Sequence, residues 1–271
     1  VTSRNWRRDP QALGATLDGL DAAGTPLMAV VATAGSTATG SFDDLATIGP
    51  MCEERGLWLH VDGAHGASAL LSAAHRHRVR GLHHARSVAW DAHKMMMLPL
   101  AASMVLVRDE ADLTQAFAQH APYMFHQPAG ERAWDQGTRS FQCSRRADAI
   151  KLWVALQRYG TAGIASLYDR QCETTRALFE RIRARRDFEA MHEPEGNILC
   201  FRWVGDRTAS DDALDAVNLD VRTRYNRSGH GWLTTTVLDG RRVLRVTLMN
   251  PRTTGTHLDR LLSQLAVEAT R

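Results

Sequence analysis

The strongest constraint on this chain is a repeated alternation. Short continuous apolar runs are separated by segments with helical periodicity and ended by small or polar residues. Residues 27–33 (LMAVVAT), 57–62 (LWLHVD), 87–90 (SVAW) and 102–107 (ASMVLV) are the runs. Runs this short, flanked by turn signals, read as strands, and their lack of polar alternation predicts strands buried on both faces. Between them, Asp9-Pro10 opens a helix to about residue 23, Asp43-Asp44 opens one to about residue 55, and a short helix covers about 110–118. An acceptor side chain followed by proline or by a second acid supplies the N-cap in the first two cases. Strands alternating with helices imply βα units, hence an α/β fold with a mostly parallel sheet.

The second half reads differently. A long helical stretch from about 145 to 185 is interrupted at Gly160 and Gly163. Strand candidates follow at 197–204, 231–238 and 243–248, with helix candidates at 209–227 and 255–269. This is a smaller α+β unit. The expected division is a large domain over 1–160 and a small one over 161–271, with no internal repeat.

Several functions fall away on composition. No stretch reaches the roughly 18–20 consecutive apolar residues of a membrane helix. A net charge of +3 without a basic stripe is a poor nucleic-acid signature. The arginine run at 181–186 (RIRARR) reads as a solvated helix face. The four cysteines, Cys52, Cys143, Cys172 and Cys200, show no CxxC spacing, which suits a reduced, cytoplasmic protein. The histidines at 75, 77, 83 and 84 lie on an arginine-rich segment without carboxylate or thiolate support, so no metal site is expected. Met95, Met96 and Met97 read as core packing, as does a stripe of Leu152, Trp153, Leu156 and Tyr159.

Ligands of open α/β sheets bind beyond the carboxyl ends of the strands. Three polar clusters fall there: Ser36-Thr37, Asp62 with His65, and Asp91 with His93-Lys94. Only two of the 33 basic lysine and arginine residues are lysine, Lys94 and Lys151. Lysine has chemistry that arginine lacks, because its amine can lose a proton and attack a carbonyl. Lys94 is flanked by three methionines, and an apolar setting favours the neutral amine; the alternative is an ordinary surface lysine. Asp62 ends an apolar strand, where a buried carboxylate needs a partner. It reads either as a helix N-cap or as the partner of a cationic ring nitrogen, with the small Ala64 leaving room for a flat ring. A Schiff-base lysine plus an acid for a pyridine nitrogen is the requirement of pyridoxal phosphate.

The segments AVVATAGSTATGSFDDL (29–45), GLWLHVDGAHGAS (56–68), RHRVRGLHHARSVAWDAHKMM (76–96) and FQCSRRADAIKLW (141–153) resemble the group II pyridoxal-phosphate amino-acid decarboxylases. Members of that family act on glutamate, cysteine sulfinate, aspartate, 2,4-diaminobutyrate or aromatic amino acids. The likeness rests on a strand ending in HVD, an HK pair 32 residues after its aspartate, and a late arginine in LRVTLMNP (244–251). It implies a fold-type-I pyridoxal-phosphate enzyme that decarboxylates an L-amino acid to the amine. Lys94 would carry the cofactor as a Schiff base, Asp62 would pair with the pyridine nitrogen, and Ala64 would pack on the ring. His93 would reach the phosphate, Thr37 would lie near the ring hydroxyl, and Arg245 would bind the substrate α-carboxylate. The alternative for Arg245 is a structural ion pair. The resemblance also implies a homodimer in which loop 120–137 reaches the partner's active site.

Departures from the family pattern qualify this. Asp91 stands where an asparagine near the phosphate is usual, His65 where a tryptophan or tyrosine is usual, and Gly63 where an alanine is usual. Loop 126–137 has no tyrosine to act as the late proton donor, which leaves His126 or a water for that task. Two alternatives follow: decarboxylation-dependent oxidation to an aldehyde, or a non-catalytic homologue. The family's phosphate-binding serines and ring-stacking histidine lie upstream of Val1, so the chain is expected to be the C-terminal part of a longer polypeptide.

Overall fold

In the computed structural model, residues 4–117, 136–205 and 207–271 are described. They form two sheets. The first contains β1 (Ala29–Thr33), β2 (Trp58–Asp62), β3 (Ser87–Asp91) and β4 (Ser103–Val107), in that spatial order. The β1–β2 and β2–β3 pairs are parallel, whereas β4 returns antiparallel to β3. The helices around this sheet are α1 (Pro10–Ala22), α2 (Leu45–Glu54) and α3 (Glu110–Ala116). Their starts follow from local chemistry, since Asp9, Asp44 and Asp109 each accept a hydrogen bond from first-turn backbone N–H groups. Val30, Ala32, Leu59, Val61 and Val88 pack one sheet face against Leu17, Leu45 and Ile48 from α1 and α2.

Burial on both faces is not observed. β1 alternates exposed and buried, with Val31 50% exposed, and Val105 on β4 is 60% exposed. The apolar runs signalled an element that needs cover on both sides, and among the described residues only one side has it.

The long helix α4 (Ala149–Arg183) is broken at Gly160, whose φ of 65° only glycine adopts cheaply. Tyr168 and Cys172, beyond the break, still belong to the first core, whereas Leu178, Phe179 and Ile182 belong to the second. The expected stripe on this helix is half wrong: Leu152 and Leu156 pack inward, but Trp153 and Tyr159 are 62% and 60% exposed. Positions 152 and 156 share one helix face, and Trp153 is turned about 100° away from it. The arginine run behaves as a charged face, with Arg181 on Asp259 and Arg185 on Asp187 around a buried Ile182.

The second sheet has the order β5 (Phe188–Ala190), β6 (Ile198–Trp203), β8 (Arg241–Thr247) and β7 (Thr234–Leu238), all antiparallel. The three-residue β5 carried too little pattern to be anticipated. Helices α5 (Asp211–Arg227) and α6 (Gly255–Ala269) cover one face, burying Val221, Leu258, Leu262 and Leu265 against Leu199, Phe201, Leu244 and Val246. The other face turns Cys200 and Val243 toward Trp6 and Ala38 of the first unit. That contact sets where Arg245 on β8 meets the ends of the parallel strands.

Candidate active site

Register brings the three strand-end clusters together. Thr33 pairs with Asp62, and Asp62 pairs with Ala89, so the chain leaves β1, β2 and β3 on one edge of the sheet. Gly63 N donates to Ala89 O and Asp91 N to Ala64 O, which stitches the segment after β2 to the end of β3. Gly66 N donates to Ala34 O, and a Cβ on Gly35 would stand 2.8 Å from the Gly66 backbone. Only a residue without a side chain permits that approach, which fixes the 36–41 turn over the strand ends.

Lys94 sits in the turn after β3, half-buried, with its Nζ 2.8 Å from Asp91 Oδ2. Met95 and Met96 beside it are buried, but Met97 is 39% exposed, so the methionine triplet is core only in its first two members. Burial pushes the Asp91 carboxyl up. Hydrogen bonds from Lys94 and Ser103, with the charges of Lys94 and His93, outweigh that and hold it below the ordinary carboxylate range. His93 Nε2 lies 3.7 Å from the same oxygen, and its Nδ1 lies 3.0 Å from Ala102 O. Asp91 is therefore the partner of Lys94 in this structure. The family-based comparison with a phosphate-side asparagine did not reveal that pairing, although the i,i+3 spacing could have.

Asp62 is exposed, not buried as its strand-end position suggested, and Oδ1 accepts from Ala64 N at 3.2 Å. The next turn opens the strand end, so the carboxylate is solvated and available. Ala64 is half-buried and Thr37 exposed. His126 lies outside the described residues, as does most of loop 120–137.

Arg245 projects from β8 toward the first unit. Its Nε donates to Thr37 O at 2.9 Å and to Ala38 O at 3.1 Å. Among the described residues it has no carboxylate partner, so the ion-pair alternative is not what holds it. Burial pushes the guanidinium below its ordinary value, yet an arginine so shifted remains a cation at neutral pH. A half-buried guanidinium with its terminal nitrogens unengaged by acid is suited to an incoming carboxylate.

His65, expected with Asp62 at the strand ends and standing where the family pattern has an aromatic residue, lies between these groups. Its Nε2 lies 2.6 Å from Asn197 Oδ1, at the start of β6. Burial lowers its pKa, and the Lys94 and Arg245 charges add to that against the opposing Asn197 bond and Asp91 charge. Asn197 and Gln171, both buried, were not singled out from sequence; a polar residue directly before the apolar run ILCF was the available signal.

A family model described as the pyridoxal-dependent decarboxylase conserved domain matches residues 2–204. The chain belongs to this decarboxylase family. It is 42% identical over 177 residues to acidic amino acid decarboxylase GADL1 of Bos taurus, covering 65% of this chain and 34% of that protein. It is 35% identical over 243 residues to L-2,4-diaminobutyrate decarboxylase of Rhizobium meliloti (strain 1021), covering 89% of this chain and 48% of that one. The crystal structure of mouse CSAD in apo form matches with a TM-score of 0.90 at 32% identity, over 99% of this chain and 57% of that one. The chain thus spans about a third to a half of these curated decarboxylases, and the α/β architecture with its antiparallel second sheet is that of the family.

Proposed function

We propose that the protein is a pyridoxal-phosphate-dependent L-amino-acid decarboxylase in which Lys94 holds the cofactor. The observation that carries this is the convergence of one amine, one solvated carboxylate and one acid-free guanidinium at the carboxyl ends of β1–β3. The set suits the reactive half of the cofactor: an amine for its aldehyde, Asp62 for its ring nitrogen, and the small Ala64 beside a planar ring. The phosphate does not suit the Asp91 carboxylate, an anion already engaged by Lys94, so its donors lie elsewhere. Bound there, the cofactor supplies an electron sink for the pair left when the α-carboxylate departs as carbon dioxide.

The chain's own residues do the rest. Asp62 holds a proton on the ring nitrogen, and each unit of pKa shift it imposes corresponds to about 1.4 kcal/mol. Arg245 binds and orients the α-carboxylate across from Lys94, with its Nε fixed by the Thr37 and Ala38 carbonyls. Asp91 keeps the Lys94 ammonium in place before loading, and His93, held at Ala102, steadies that carboxylate. The similarity to an acidic amino acid decarboxylase and to a diaminobutyrate decarboxylase supports a small polar amino acid as substrate. The apolar surface left open at Val105, Trp153 and Val154 supports a homodimer. Among the described residues, no helix is long and apolar enough to cross a membrane.

The full-length protein purified with pyridoxal phosphate should show visible cofactor absorbance and release carbon dioxide from one of a panel of L-amino acids. Lys94→Ala should abolish both, and a band like that of the wild type in this variant overturns the assignment.

A further inference from the structure

The hydrogen bonds that reach His65 have a direction that can be read from their far end. A backbone carbonyl only accepts, and Gln171 Nε2 donates to Met95 O at 3.3 Å. Gln171 Oε1 therefore faces Asn197 and accepts from its Nδ2 at 3.3 Å. The same Nδ2 lies 3.5 Å from a second carbonyl, Leu248 O, which gives the same orientation independently. Asn197 Oδ1 is then the atom turned to His65. An amide oxygen only accepts, so the proton in that 2.6 Å contact belongs to His65 Nε2. Two carbonyls, on either side of two buried amides, dictate the tautomer of the imidazole.

The other ring nitrogen is left over. Nδ1 has no hydrogen bond among the described residues, and it is absent from the fully buried unpartnered atoms, so it reaches accessible space. The charged groups that act on the ring are Lys94 and Asp91 at the end of β3 and Arg245 on β8. We propose that Asn197 and Gln171 fix His65 as the neutral Nε2–H tautomer, so that it is a positioning residue offering its Nδ1 lone pair to an N–H or O–H donor of an amino acid held between Lys94 and Arg245. A third cation beside Lys94 and Arg245 is avoided, and the site gains an acceptor instead. The chain also links the residue after Lys94 to the strand next to β8, so the imidazole is referenced to both domains. This rests on the proposed function only for the identity of the donor; the tautomer stands separately.

The test uses the full-length, cofactor-loaded protein with ¹⁵N-labelled histidine. At neutral pH, His65 Nε2 should resonate as a protonated, pyrrole-type nitrogen and Nδ1 as a pyridine-type one; an Nδ1–H tautomer or a cation overturns the proposal. Asn197→Asp places a negative oxygen on Nε2 and should raise the His65 pKa by about one unit or more. Asn197→Leu should free the tautomer without that rise, and an unmoved tautomer in it refutes the lock. With the best-decarboxylated amino acid, His65→Phe should raise KM roughly tenfold, the weight of one hydrogen bond, with little change in kcat. An unchanged KM refutes the role of Nδ1. If the protein decarboxylates no amino acid, the functional reading has failed, and the nitrogen signals still decide the tautomer.

Discussion

Replacing Arg245 by methionine separates recognition from architecture. Methionine keeps an apolar body against β8 and removes the guanidinium. The change has two costs of different size. The Nε hydrogen bonds to Thr37 and Ala38 tie β8 to the 36–41 turn. Their carbonyls lie in a turn with an exposed residue and can rehydrate, so stability should fall by about 1 kcal/mol, or a few degrees in Tm. The loss of a charged, two-pronged contact to the substrate α-carboxylate is larger, about 2–3 kcal/mol. At about 1.4 kcal/mol per tenfold, KM rises roughly 30- to 150-fold. Initial rates of carbon dioxide release across substrate concentration give KM, visible absorbance reports the cofactor, and thermal unfolding reports stability. Arg245→Lys keeps the charge without the planar fork and should fall between. The substrate's methyl ester, used as an inhibitor, adds a control: lacking the carboxylate, it should bind wild type and variant alike. A KM within about threefold of wild type, or an ester that discriminates as strongly as the acid, refutes the assignment of Arg245. Loss of the cofactor band along with the rise in KM makes Arg245 an architectural residue instead.

Three further outcomes follow from the geometry. The Asp91 carboxyl is held below its ordinary value of 3.8. Its contribution to stability is thus complete above that pH and is lost as pH falls through the lower folded value; Asp91→Asn should be less stable at neutral pH, with the gap closing in acid titrations followed by circular dichroism. Asn218 is fully buried, accepts from Trp203 N, and donates to the carbonyls of Trp203 and Leu214, so Asn218→Leu should cost about 2–4 kcal/mol in denaturant unfolding by orphaning the Trp203 backbone groups. Cys143 is exposed, whereas Cys52, Cys172 and Cys200 are buried, and burial pushes Cys172 up to about 11 and Cys200 to about 12, so a maleimide should label Cys143 first and the other three only on unfolding, as read by peptide mass spectrometry.

The sheet and its active edge were legible because they depend on local signals. Apolar runs with capping aspartates fixed β1 through β4, and strand ends placed Thr37, Asp62 and Lys94 near one another without any tertiary information. What stayed hidden was set by contacts distant in sequence. The runs at 29–33 and 103–107 could not say whether a second layer covers them. Trp153 and Tyr159 match a core stripe in composition, but which helix face is buried depends on what lies opposite. Asp62 was misjudged for the same reason: a strand end is buried or solvated according to how the next turn leaves it.

The residues around His65 show why a site can exceed its motifs. Asn197 lies 132 residues after His65, and Gln171 lies 76 after Met95. Neither separation has a periodicity to detect. Gln171 comes from α4, which packs Tyr168 on the first core and Leu178 on the second, and Asn197 comes from the turn before β6 of the second sheet. A buried amide in such a position must satisfy both its donor and its acceptor, since leaving either unpaired costs about 1–3 kcal/mol. That requirement fixes the orientation of Gln171, then of Asn197, then the proton on His65. The protonation state proposed for a ring beside Lys94 and Arg245 is therefore an outcome of how α4 and the second sheet meet the ends of the first.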